Sequence, residues 1–350
     1  MSFEADALGG PGKLGVRSRF LSGSWYVYLN LAFVVALLGV YYFMGGWAFP
    51  DYPNYVTIVN NGGYLFSKDE YMAEWVSRLF LSHGLSFFDS AEHVVDFFAL
   101  IVQIFYILFV FYFGVSKEGI SKRGWFFFTA VLGPLLITTA LRASPAYILI
   151  AYIAATGGRF GFKVALLSIL AVSFHDSALI LVIVYAASCI GARLFKSIGP
   201  VFYRFLMWCS LALILLSQQV AYILFSVVSK LNIGIRSVYF LELPETSIVK
   251  KVFMVVIWVV AYTTIRNISV NVRTKLFVCG SILLTALSFS LSEVVGVRFA
   301  LYVLGSCVLA KGAFLFTGQR DSRYRQVDVI FAVAYFCLVF MDILRNARGA

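Results

Sequence analysis

The sequence carries little charge and very little histidine. Only 13% of its 350 residues are charged and three are histidine, whereas 61% are hydrophobic. A typical soluble domain has about twice this charged fraction and clearly fewer apolar residues. A disordered chain would be poorer still in apolar residues. The composition therefore excludes both classes and favours a membrane protein.

Several chemical signatures are missing as well. The sequence contains no phosphate-binding GxxxxGK[ST] loop, no HExxH and no DxD pair. These absences argue against a nucleotide-driven pump, a zinc protease and any requirement for a metal or a cofactor. The five cysteines form no CxxC pair and fall in or beside apolar runs, so neither disulfides nor a metal cluster is predicted. They are Cys189, Cys209, Cys279, Cys307 and Cys337.

Long apolar runs are what the sequence has in abundance. A bilayer core of about 30 Å needs roughly 20 helical residues per crossing, and continuously apolar runs exclude a β-barrel. We predict an all-α, polytopic transmembrane helical bundle of about 10–11 spans in a single integral membrane domain, 1–350. The runs lie near 24–48, 94–115, 125–141, 145–158, 164–190, 200–228, 248–265, 276–292, 296–317 and 327–344. The first is too long for a signal peptide and is predicted to remain uncleaved.

The distribution of charge predicts a topology. The net charge of +11 comes from Lys and Arg clustered between apolar runs, which is typical of cytoplasmic loops rather than of nucleic-acid binding. Segment 49–93 has few basic residues and is predicted to be an external loop with short amphipathic helices. A second external loop is predicted at 229–247. The amino terminus is placed in the cytoplasm and the carboxyl terminus outside.

One apolar run is too long for one crossing and too short for two. Val164 to Ile190 is interrupted by Ser173-Phe174-His175-Asp176-Ser177, which a lipid-facing helix would tolerate poorly. We predict two short helices that meet near His175 and return to the side on which they start. The aromatic run Phe126–Phe128 is predicted to face lipid.

This topology collects polar residues on one face of the membrane. Arginines at the outward ends of helices suit a phosphate or pyrophosphate, although snorkelling or a local ion pair, such as Glu293 with Arg298, is the alternative. His175 is either a general base or a residue that closes a helix break, and Asp176 either orients it or caps the next helix. The residues predicted on this face are Asp51, Glu74, Arg78, Arg142, His175, Asp176, Arg236, Glu293 and Arg298.

The set of motifs resembles the EpsG-like family of Wzy polysaccharide (O-antigen) polymerases. Each motif is weak alone, but their order covers nearly the whole chain. A departure is Ser144-Pro145, where such proteins often continue R-x-x-[LI]-A. The matching pieces are D-x-x-x-Y (Asp51, Tyr55), the segment Glu74 to Gly84, Leu141-Arg142-Ala143, F-H-x-S-A (Phe174, His175, Ser177, Ala178) and R-F-x-x-Y (Arg298, Phe299, Tyr302).

The resemblance implies a metal-independent glycosyltransferase without a cofactor, at the periplasmic face of a bacterial inner membrane. Such an enzyme transfers a growing glycan from undecaprenyl pyrophosphate to the non-reducing end of a new lipid-linked repeat unit. Arg142, Arg298 and Arg236 are then expected on the pyrophosphate, with His175 as base or orienter. Asp51 and Glu74 would hold sugars or supply the alternative base. The further substrate-binding residues implied are Tyr55, Arg78, Glu293 and Tyr302.

Three other functions stay open on the sequence. A lipid-linked oligosaccharide flippase would use a similar basic surface without chemistry, and an O-antigen ligase would share the donor. A membrane acyltransferase would place a histidine beside an acyl channel. Expected partners are the undecaprenyl-pyrophosphate-linked oligosaccharide and membrane lipid, with a chain-length regulator, a flippase and a ligase as candidate proteins; nucleic acid is not expected.

Overall fold

The computed structural model describes residues 14–49, 51–62, 75–115, 120–194, 200–223, 247–267, 269–314 and 327–335, with 337 and 341. Within these ranges every regular element is helical and none is a strand, which confirms the all-α prediction. The helices are α1 (Leu14–Met44), α2 (Tyr52–Asn60), α3 (Trp75–His83), α4 (Ala91–Val115), α5 (Lys122–Thr138), α6 (Ser144–Thr156), α7 (Phe162–Phe174), α8 (Ala178–Leu194), α9 (Pro200–Leu215), α10 (Ser217–Ile223), α11 (Ile248–Arg266), α12 (Val272–Leu291), α13 (Glu293–Lys311) and α14 (327–335).

Five of these helices are long and apolar enough to cross a bilayer, so the chain is a polytopic membrane protein. They are α1, α4, α11, α12 and α13. Three shorter apolar helices, α6, α7 and α8, lie among them. The continuous span predicted over 200–228 is corrected, because α9 and α10 are bent by 82°. The bend falls where the polar residues Ser217, Gln218 and Gln219 follow the apolar α9.

Helices α7 and α8 form the predicted hairpin. His175 follows α7 with an extended backbone, and α8 begins at Ala178. The Tyr185 hydroxyl of α8 donates a hydrogen bond of 2.7 Å to the carbonyl of Gly158, which precedes α7. Helix α8 therefore runs back beside the start of α7. At 13 residues, α7 is only about 20 Å long, so the polar break ends it short of a full crossing.

The bundle has two ends that differ in chemistry. At the first, which we call the His175 end, Ser77 of α3 bonds to the carbonyl of Phe174 and the carboxylate of Glu293 accepts from Ser247 N–H. At the second, the Lys311 end, Lys311 of α13 donates to Thr263 of α11. The starts of α11 and α13 thus meet at the His175 end, where Ser177 Oγ of the break after α7 lies 3.2 Å from the Tyr302 hydroxyl of α13.

The centre of the bundle is built from α5, α6 and α13. Nearly every side chain of α5 and α6 is buried. Gly305 of α13 lets this helix approach both, since an added Cβ would lie 2.9 Å from Leu132 and Phe128 of α5 and 3.4 Å from Ala151 of α6. The run Phe126–Phe128 is fully buried, so the prediction that it faces lipid is wrong. Packing between helices requires these aromatic rings inside.

Helix α2 folds back onto the membrane bundle. Its Tyr52 hydroxyl donates to the Asp96 carboxylate of α4 at 2.9 Å, and Tyr52 and Tyr55 are buried in a second apolar cluster with Tyr41 and Phe49. Phe49 and α2 are therefore packed against α1 and α4, and this packing fixes the start of α2 at the His175 end.

Candidate functional site

A cavity of about 540 Å³ opens at the His175 end. Segments far apart in sequence build it: the start of α2, the turn between α5 and α6, the break after α7 and the second turn of α13. Five of the predicted site residues line it, and polar groups converge there as expected of a binding site. The lining residues are Asp51, Asn54, Tyr55, Thr57, Ile58, Leu135, Thr139, Ala140, Arg142, Ala143, Tyr147, His175, Arg298 and Leu301.

The Asp51 carboxylate lies at the start of α2 but does not hydrogen-bond to the backbone of this helix. It occupies the position just before α2, where aspartate usually caps the helix, yet its side chain makes no capping hydrogen bond. Pro53 in the first turn lowers the need for a cap, because proline has no N–H. The Asp51 side chain instead lines the cavity.

Arg142 and Arg298 supply the positive charge of the cavity. Arg142 lies in the turn that ends α5, where its backbone N–H donates to the Tyr55 hydroxyl at 3.3 Å. Arg298 projects from α13, and its carbonyl accepts from the Tyr147 hydroxyl at 3.4 Å. Both guanidinium groups are half-buried, and both act electrostatically on Asp51.

Burial and charge oppose each other at Asp51. Removal from water raises the pKa of its carboxyl, and the positive charges of Arg298 and Arg142 lower it without cancelling that increase. Burial likewise raises the pKa of Tyr55 to about 12. The Tyr55 phenol consequently stays protonated near neutral pH, while the proton affinity of Asp51 is greater than that of a carboxyl in water.

His175 is held by its immediate neighbours. The Nδ1 atom accepts from the Ser177 N–H at 3.3 Å and lies 3.0 Å from Ser177 Oγ. It also lies 3.3 Å from a carboxylate oxygen of Asp176. A neutral imidazole that accepts at Nδ1 carries its proton at Nε2.

Two tyrosines stabilise the arrangement of residues around His175. The Tyr302 hydroxyl lies 3.2 Å from Ser177 Oγ, which connects α13 to the His175 break. The rings of Tyr147 and Tyr302 pack with their centroids 4.0 Å apart. Tyr302 is fully buried and does not line the cavity, so it contacts the histidine through Ser177.

Other predicted site residues lie elsewhere. Glu293 forms an ion pair with Lys250 and accepts from Ser247 N–H at 2.5 Å, so it joins α13 to α11 and does not line the cavity. Arg78 is half-buried on α3, outside the cavity lining. Glu74 and Arg236 lie outside the described residues.

Sequence reasoning missed Tyr147, Asn54 and Thr139 as cavity residues. A tyrosine two residues after a proline in an apolar run has the appearance of a core or interfacial residue. Helical spacing gave one usable signal, since Asn54 follows Asp51 by three residues and shares its face. Among the described residues, no group of three or more His, Cys, Asp or Glu side chains could hold a metal ion.

Comparison with known proteins yields no relative of this chain. No protein-family model, no curated protein and no solved structure matches it.

Proposed function

We propose that this protein is a membrane glycosyltransferase that polymerises lipid-linked oligosaccharide repeat units. The growing glycan would pass from undecaprenyl pyrophosphate to the non-reducing end of a new repeat unit, at the periplasmic face of a bacterial inner membrane. One observation carries the proposal: a single cavity at one end of a membrane bundle holds Arg142, Arg298, Asp51 and His175 together. The motif resemblance to Wzy polymerases points to the same reaction.

The two arginines suit a pyrophosphate leaving group. Guanidinium groups stay charged at every physiological pH and bind phosphate oxygens bidentately. Negative charge grows on the pyrophosphate as its bond to the sugar breaks, so fixed cations stabilise the transition state more than the ground state. Half-burial of both side chains in the cavity strengthens that interaction relative to open water.

Asp51 is the proposed general base. The acceptor hydroxyl attacks the anomeric carbon, its proton passes to the Asp51 carboxylate, and the pyrophosphate leaves with the electrons of the broken C–O bond. A base works best when its pKa approaches the working pH, and burial moves the pKa of Asp51 in that direction. Once the arginines bind the pyrophosphate, their effect on this carboxylate weakens and its basicity increases further.

His175 is proposed to donate a hydrogen bond rather than to act as the base. Its Nδ1 accepts from the Ser177 N–H, so the neutral ring presents a proton at Nε2. That proton suits an oxygen of the sugar or of the departing pyrophosphate. Ser177 and Tyr302 would act as positioning residues, because they hold the ring in this orientation.

The charge at the two ends supports a periplasmic cavity. The Lys311 end carries Lys122, Arg123, Arg159, Lys163, Arg193, Arg266, Arg273, Lys275 and Lys311. Such a cluster is typical of the cytoplasmic side. The His175 end mixes both signs, so we place it outside, where a lipid carrier exposes its glycan to the periplasm.

The test compares surface glycans in a bacterium that lacks this gene and carries one variant at a time. Arg142→Gln and Arg298→Gln should each lower polymer formation by about 10²–10³, as loss of an oxyanion-stabilising group does. Asp51→Asn should abolish the ladder of polymer lengths on a gel and leave a single repeat unit on its acceptor. Membrane abundance of each variant, measured by immunoblot, should match that of the unchanged protein.

Arg193→Gln is the matched control, because Arg193 is an exposed arginine at the opposite end. It should retain a normal ladder. Long polymer that stays on the lipid carrier would identify a ligase, and loss of even the single unit from the surface would identify a flippase. Either result, or a normal ladder from both cavity arginine variants, would contradict the polymerase proposal.

A further inference from the structure

A second cavity of about 550 Å³ lies at the Lys311 end, between the end of α6 and the start of α7. It is separate from the first cavity and shares none of its lining residues. The walls are Tyr152, Ile153, Ala155, Thr156, Gly158, Arg159, Gly161, Phe162, Lys163, Val164 and Leu167.

The charge in this cavity is positive, and one of its two cations is held by a neighbouring side chain. Arg159 and Lys163 both line it, and none of its eleven lining residues is acidic. The Lys163 ammonium donates to the Tyr152 hydroxyl at 3.3 Å and lies 5.6 Å from the centre of the same ring. Tyr152 thus holds one cation at the cavity wall, and an anion is the ligand that complements the two charges.

The start of α7 adds to this positive field. Gly161 precedes the helix with an extended backbone and offers no side-chain cap to its first N–H groups. The first turn of a helix carries a partial positive charge. Phe162 and Lys163, both in that turn, line the cavity, so backbone and side-chain charge favour the same anion.

Apolar groups complete the cavity. Ile153, Val164 and Leu167 form part of its wall. Phe162 is 86% exposed and Phe160 is 40% exposed, as expected of aromatic residues in the interfacial zone of a membrane. A soluble phosphate would make no use of this surface, whereas an acyl chain would lie along it.

We propose that this cavity binds the phosphate of an anionic phospholipid, with an acyl chain along Leu167 and Ile153. Arg159 and Lys163, with no acidic residue among the described lining residues, favour a head group of net negative charge over a zwitterionic one. The inference is independent of the proposed polymerase activity, because it concerns the opposite end of the bundle.

The test titrates the purified full-length protein in detergent with phosphatidylglycerol or with phosphatidylcholine of identical chains, followed by native mass spectrometry. The unchanged protein should retain phosphatidylglycerol preferentially. Arg159→Gln combined with Lys163→Gln should weaken its binding by about thirtyfold, because each basic side chain near an anionic lipid contributes about 1 kcal/mol. The exchange Arg159→Lys with Lys163→Arg should keep the preference.

Arg193→Gln combined with Arg266→Gln removes the same charge from the same end and serves as the control. Both residues are exposed, and Arg266 stacks on Tyr262 much as Lys163 does on Tyr152. This pair should bind phosphatidylglycerol normally. An equal loss in the control pair, no preference in the unchanged protein, or displacement of the lipid by inorganic phosphate alone would each overturn the proposal. Thermal unfolding of each variant establishes that it is folded.

Discussion

Asp51 stands where an aspartate would ordinarily stabilise a helix, and its side chain makes no such bond. Its carboxyl is partly buried in the cavity at the His175 end instead, which costs the folded protein free energy whenever the group is ionised. Native proteins keep such costs at sites that bind or react. The stability of a protein with Asp51 replaced therefore tests the burial of this carboxyl without an assay of activity.

Replacement of Asp51 by asparagine should change how stability depends on pH. Folding raises the pKa of Asp51 above its ordinary 3.8, so the folded protein holds the proton more tightly. The stability associated with the protonated group is present at low pH and is lost as pH rises through the folded pKa. Asp51→Asn removes this loss. Relative to the unchanged protein, its melting temperature should rise as the pH increases above the ordinary pKa of 3.8.

Thermal unfolding in one detergent at each pH measures this difference. Asp89→Asn provides the control, because Asp89 is an exposed aspartate in the same connection between α1 and α4. A constant difference between Asp51→Asn and the unchanged protein across the pH range would show that the Asp51 carboxyl is not destabilised by folding.

At the scale of single residues, the sequence predicts which charged residues line the cavity better than which neutral residues do. Arg142, His175 and Arg298 stood out because polar groups near apolar spans are costly, and all three line the cavity. Tyr147 gave no such signal, since a tyrosine is tolerated in a core as well as in a site. The ion pair between Glu293 and Lys250 joins residues 43 positions apart, which no local spacing reveals.

At the scale of elements, the turn between α12 and α13 places Arg298. Gly296 lies two residues before it and packs against the end of α12, where an added Cβ would come 2.4 Å from the Cα of Phe289. Backbone atoms cannot move aside as a flexible side chain can. The absence of a side chain at Gly296 therefore sets the distance between the two helices at the cavity.

Gly296→Ala should destabilise the protein by about 1–3 kcal/mol, as overpacking generally does, and should displace Arg298. Gly39→Ala is the matched control, because nothing lies within 4 Å of an added Cβ there. That change should leave stability unaltered or raise it by about 0.5–1 kcal/mol. Melting temperatures of the two variants in the same detergent test the difference, and equal effects would contradict the packing argument.

The α7–α8 hairpin was predictable, whereas the bend between α9 and α10 and the orientation of continuous apolar helices were not. The α7–α8 hairpin followed from a polar break in a run of unsuitable length. Helix α5 is apolar on every face and, apart from its first residues, is almost entirely buried. The sequence could not distinguish lipid from protein around Phe126–Phe128, because both environments are apolar.

For the whole molecule, the separation of charge predicts how the bundle lies in its membrane. The Lys311 end should face the cytoplasm and the His175 end the outside. Asn60→Cys, at an exposed position at the end of α2, should gain label from a membrane-impermeant maleimide added to intact cells. Arg193→Cys should gain label only after the membrane is permeabilised.

Labelling of the unchanged protein gives the background from its own cysteines. Of these, Cys189, Cys279 and Cys307 are buried and Cys337 is exposed. The opposite pattern of protection would reverse the orientation and place the first cavity in the cytoplasm.

The return of α8 beside the start of α7 has a consequence for biosynthesis. Gly191 and Val184 of α8 lie against Leu276 and Gly280 of α12, a helix that is translated roughly 80 residues later. Until α12 arrives, the hairpin has neither its full protein surroundings nor the length to anchor itself across a bilayer. Insertion of the α7–α8 hairpin should therefore be completed only after most of the chain has left the ribosome. A nascent chain truncated before α12 should leave the hairpin accessible to membrane-embedded chaperones and proteases.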